Sequence, residues 1–113
     1  MGRKCEDCIF LFEQLTAELG RLDMATEARK KRKIIEAVSA IKSYLKDLEK
    51  SKCLSSETIK LFEDYMNRIE KFAREEKYED ISDELEWVFG ELAESAIPEI
   101  ASFCQRETKE KGE

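Results

Sequence analysis

The chain has 113 residues, of which 41% are charged, and a formal charge of −6; it is long enough for one compact core and too short for two. A negative sum opposes general nucleic-acid binding, because phosphate backbones draw basic surfaces. No apolar run approaches a membrane span and the first residues lack a signal-peptide layout, so a cytoplasmic protein is expected.

Four Gly, one Pro and an excess of Ala, Glu, Lys and Leu predict an all-α chain. The first helix is expected from about Cys5 to Arg21, with Cys8, Phe12, Leu15 and Leu19 on one stripe, Gly20 near its end and a turn over Arg21 to Thr26. A second, longer helix is expected from about Ala25 to Lys50, its core face including Ala28, Ile34, Val38, Ile41 and Leu45. Arg29-Lys30-Lys31-Arg32-Lys33 falls in this region. Five consecutive cations encircle a helix, which suits a solvated turn paired with acidic surface, or else a local anion site.

Ser51 to Ser56 reads as a loop, with Ser55 or Ser56 capping a third helix that carries Ile59, Phe62, Met66 and Ile69 and ends near Arg74 to Lys77. The fourth begins near Tyr78 to Asp80 and carries Ile81, Leu85, Val88 and Leu92. Pro98 should break or kink it, leaving a short piece over Glu99 to Gln105 and a frayed tail from about residue 106. Short connections make neighbouring helices antiparallel. The expected architecture is therefore a single domain over 1–113, an antiparallel four-helix bundle with a short kinked C-terminal helical extension.

Cys5-x-x-Cys8, Cys53 and Cys104 admit a zinc site, disulfides or buried thiols. Zinc is not expected, because only one close pair exists where a ribbon needs two. Two Gln, one Asn and no His stand against thirty-three Glu and Lys, a hyperthermophile-like balance that would tolerate intracellular disulfides.

Two acidic pairs have helical spacing: Glu63-Asp64-x-x-Asn67 and Asp80-x-x-Asp83. Side chains three apart share a helix face, and two such faces together could supply the oxygen ligands of Mg²⁺. Trp87 lies one turn beyond Asp83, away from the apolar stripe. An indole there predicts either a subunit interface, as in a homodimer with Trp87 or Tyr65 near the contact, or a surface on which a flat ligand stacks. A tight turn near Glu76 would offset the two pairs by roughly 9 Å along the hairpin.

Residues 57 to 96 resemble the MazG-like all-α nucleoside triphosphate pyrophosphatases, whose pattern is Glu-Glu-x-x-Glu, a spacer, and Glu-x-x-Asp opening the next helix. Glu63-Asp64-Tyr65-Met66-Asn67 is similar to the first half and Glu79-Asp80-Ile81-Ser82-Asp83 to the second. The resemblance implies Mg²⁺ on Asp64, Asn67, Asp80 and Asp83, with Glu63 assisting the metal or a catalytic water. It further implies hydrolysis of a nucleoside triphosphate to monophosphate and pyrophosphate, with Lys60, Lys71 and Trp87 on the substrate. The alternative is a non-catalytic helical protein that binds another protein through a helix face, its carboxylates simply solvated.

Overall fold

The computed structural model describes residues 3–110, and the side chains of 4–107. Its helices are α1 (Arg3–Glu27), α2 (Lys31–Lys50), α3 (Ser56–Arg74), α4 (Tyr78–Glu91) and α5 (Ile97–Glu110), with a π-helical segment at Leu92–Ala96 joining the last two. They form a rod of 52 × 19 × 19 Å. Helices α1, α2 and α3 each pack on the next, α4 runs through the π segment into α5, and α1 also packs on α4 and α5, so α2 and α4 occupy diagonal corners of the bundle. The core is a continuous apolar column that includes Leu15, Leu45, Phe62, Met66 and Leu85.

Two boundaries differ from the expectation. Helix α1 does not stop at Gly20 but runs to Glu27, and the turn falls at residues 28–30. Leu15, Leu19, Leu22 and Ala25 extend one buried stripe past the glycine. That stripe outweighs the cost of about 1 kcal/mol for Gly in a helix. In consequence α2 starts at Lys31, and Ala28, expected in the core, is exposed in the turn.

Three helices end in one way. Arg29, Lys52 and Glu76 each hold a left-handed φ, of 55°, 62° and 59°. The amide after each reaches back five residues: Lys30 to the Ala25 carbonyl, Cys53 to Leu48 and Lys77 to Phe72. This is the Schellman arrangement, normally built on glycine. Here charged residues occupy it, while the two described glycines, Gly20 and Gly90, lie within helices.

The second difference lies at Pro98. A proline has no N–H for the bond to the fourth preceding carbonyl, and the wide π turn over Leu92–Ala96 takes up the defect just before it. This turn keeps Leu92, Ala96 and Ile100 buried on one line. Helix α5 then continues past Gln105 to Glu110. Two anchors hold its end: the Cys5–Cys104 disulfide, and the buried Glu107, whose Oε1 accepts the Cys5 N–H at 2.8 Å. Cys8 pairs with Cys53 of the α2–α3 loop. The two bridges thus tie the start of α1 to two distant segments. Of the expected frayed tail, residues 111–113 lie outside the described residues.

Glu70 of α3 joins α2 to α3: Lys42 Nζ lies 3.0 Å from its Oε1 and Arg74 Nη2 2.8 Å from its Oε2. Arg74 first, then Lys42, holds this carboxyl below its ordinary value of 4.5. A depressed pKa contributes stability above the unfolded-state value and loses it as the pH falls through the folded one. Glu70→Gln is therefore expected to be less stable than the parent by under about 1 kcal/mol at neutral pH. Denaturant titrations of the two proteins should converge in acid; a gap unchanged by acidification would contradict this assignment.

Candidate functional site

The α3–α4 hairpin fixes where the predicted residues stand. Arg68 Nε lies 2.6 Å from Glu84 Oε1 across it, and the chain reverses at Glu76. On that register Asp64 and Asn67 lie level with Val88 and Leu85, while Asp80 and Asp83 lie level with Phe72 and Ile69. The two pairs are displaced by about five residues, or roughly 8 Å. Asp64, Asn67, Asp80 and Asp83 are exposed, as are Lys60 and Lys71, and Glu63 is half-buried. Among the described residues, no three His, Cys, Asp or Glu side chains come together in a way that could hold a metal ion.

What the fold gathers instead lies further along α4. Trp87 is 67% exposed. Together with Glu86, Gly90, Glu91 and Glu94 it lines a groove of about 420 Å³. Residues 90 and 91 lie three and four beyond 87, and 94 lies four and three beyond them, so successive turns of one helical run build this face. Gly90 matters to its shape. Glycine in a helix costs about 1 kcal/mol relative to alanine, and a Cβ added here would meet nothing within 4 Å. No close packing therefore demands glycine at this position; its missing side chain leaves the groove open beside the indole.

The electrostatics are one-sided. Residues 78–99 contain eight of the 26 carboxylates and none of the 20 Lys and Arg. Removing them turns the formal charge of −6 into +2 for the remainder. Glu91 holds Oε1 3.5 Å from the Ser95 hydroxyl, a long contact, and its Oε2 is buried with no hydrogen-bond partner among the described residues. Buried carboxylate oxygens ordinarily find a donor. Across the hairpin the Arg68 guanidinium lies 4.8 Å from the Tyr65 ring centroid. Burial, followed by the Glu91 charge, holds the Tyr65 hydroxyl above its usual range; Arg68 opposes this and Glu84 adds to it. The flank of the groove is thus aromatic and acidic.

Trp87 was legible in the sequence as a large ring on the wrong face, but Glu86, Gly90, Glu91 and Glu94 were not. Their signal is the absence of any cation over twenty-two residues, which spacing templates for metal ligands do not register. An indole face with carboxylates around it, one of which has an oxygen without a donor among the described residues, is suited to a guanidinium or ammonium group. No family model matches the chain, and neither a curated protein nor a solved structure matches it. No helix among the described residues is long and apolar enough to cross a membrane.

Proposed function

We propose that this protein is a non-catalytic helical binding module whose α4 face takes Arg or Lys side chains from a basic, amphipathic protein segment. The observation that carries the reading is that Glu91, whose buried Oε2 has no donor among the described residues, lines one groove with the exposed Trp87. A cationic side chain there would lie against the indole and, with the Glu91 carboxylate turned out to meet it, supply the missing donor, while Glu86 and Glu94 neutralise neighbouring cations. A bundle locked by two disulfides presents this face on a rigid element, which keeps the entropy cost of binding low. The Mg²⁺-dependent phosphohydrolase reading instead requires the offset pairs Asp64/Asn67 and Asp80/Asp83 to act on one ion, through a changed hairpin register or a second chain.

The test uses the fluorescence of Trp87, the only tryptophan, during titration with a synthetic arginine-rich amphipathic helix. Binding is expected to weaken steeply with salt, because the contacts are ionic. Glu91→Gln should weaken it by on the order of 10-fold, and Asp64→Asn should leave it unchanged. Equal affinity for a peptide with its arginines replaced by glutamine would reject the reading.

A further inference from the structure

Between α1 and α2, the helix diagonal to α4, lies a second groove, of about 560 Å³. Ala25, Ala37 and Ala40 line it beside Met24, which is 71% exposed. Lys30 and Lys33 stand on its edge. Glu18 and Glu36 line it too, but Glu18 is paired with Arg21.

The lysines sit where helix physics disfavours them. The first turn of α2 contains no acidic residue and carries Lys31, Arg32 and Lys33 at the positive end of the macrodipole. Among the described residues, none of Lys30, Lys31, Arg32 and Lys33 forms an ion pair; the expected pairing of this cluster with the protein's own acidic surface is not made. Charges that oppose their own helix and have no internal partner indicate an outside anion. The chain's own cation-free acidic run is α4, diagonal to α2; the basic turn meets its start, where Arg29 lies 5.8 Å from the Tyr78 ring centroid, and Trp87 stands more than two turns further along. One copy cannot bring these lysines to the carboxylates around Trp87.

Two copies can. Resting on the reading of α4 as a binding face, we infer that its partner is a second copy of this chain: Trp87 of one molecule enters the alanine-lined α1–α2 groove of the next, and Glu86, Glu91 and Glu94 meet Lys30 and Lys33. The two surfaces differ, so the contact is head-to-tail and does not close on itself; each copy keeps one free face of each kind and the assembly grows as an open chain. The charge complementarity also makes it salt-sensitive.

Sedimentation equilibrium on the full, oxidised chain tests this. The wild type should show a mass that rises with concentration past that of a dimer and falls as salt is added. Trp87→Ala, and separately the double change Lys30→Glu with Lys33→Glu, should each weaken association by roughly 30-fold or more. Acidic residues at the start of α2 suit its dipole and all three positions are exposed, so loss of assembly in these variants is not loss of fold. Mixed, the two variants should form a 1:1 dimer and stop, since each keeps the half that the other lacks. A wild type that pairs only to a dimer, with no recovery on mixing, would overturn the inference in favour of a self-complementary contact. A wild type that stays monomeric at every concentration overturns it as well. In that case a retained Trp87 response to the basic peptide leaves the module reading standing, and its loss removes both.

Discussion

Replacing both Cys5 and Cys104 by alanine is expected to lower the unfolding free energy by about 4 kcal/mol. The bridge joins residues 99 apart, nearly the whole chain, so its loss releases the largest loop constraint available to the unfolded protein. The melting temperature should fall by on the order of 20 °C. In urea the slope of the transition should steepen, because an unbridged denatured chain exposes more surface. Opening the Cys8–Cys53 bridge, whose residues are 45 apart, should cost a similar amount. The Cys8–Cys53 loop lies inside the larger one and each bridge shortens the loop that the other closes, so the double loss should exceed the sum of the two single losses. The native bundle should persist after the first loss, since neither Cys5 nor Cys104 belongs to its buried apolar column, which apart from Cys8 and Cys53 is built of Leu, Ile, Val, Phe, Met and Ala. A shift of only a few degrees would mean that the unfolded state is already compact or that the bridge is strained.

The second large effect is expected at Glu99. Its Oε1 accepts the Ser55 N–H at 2.8 Å, and its Oε2 accepts the hydroxyl of the buried Thr58. Ser55 in turn caps α3 by accepting the Thr58 N–H on Oγ at 3.2 Å. A carboxylate of α5 thus completes the cap of α3 and lies at the positive end of its dipole. Glu99→Ala should cost about 2–3 kcal/mol, the sum of a charge-assisted bond and a buried hydroxyl left without its acceptor. Glu99→Gln should recover part of this, because the amide oxygen can still accept. Denaturant unfolding of both variants checks the order; equal loss in the two would show that charge, not the acceptor, dominates.

The helices and the loop cap at Ser55 were legible in the sequence because amphipathic stripes and an N-cap serine are local signals. The α1–α2 turn was not. Gly20 resembles a stop signal, yet the three actual stops carry Arg29, Lys52 and Glu76 in left-handed conformation; long-range packing of Leu22 and Ala25 decides where α1 ends. The π turn was hidden for a related reason: Pro98 announces a defect, but whether the helix breaks or widens depends on what α5 must reach, and it must reach Ser55 through Glu99 and Cys5 through Cys104. As for the site, spacing within a helix placed Asp80, Asp83 and Trp87 on the outside of α4, and the turn expected near Glu76 already offset the two acidic pairs along the hairpin. The Arg68–Glu84 pair fixes that register and sets the two acidic pairs apart. The donorless oxygen of Glu91 is visible only in three dimensions.

The central claim is that the α4 face binds cationic side chains. The most direct measurement is the single indole N–H resonance of Trp87 in a ¹⁵N–¹H spectrum, followed during addition of the arginine-rich helix and, separately, of a nucleoside triphosphate with Mg²⁺. A saturable, salt-sensitive shift is expected with the peptide, saturating only at about 10-fold higher peptide concentration in Glu91→Gln, and no shift or turnover with the nucleotide. A saturable shift with the Mg²⁺-nucleotide accompanied by its hydrolysis, and none with the peptide, would contradict the claim and return the function to Asp64, Asn67, Asp80 and Asp83.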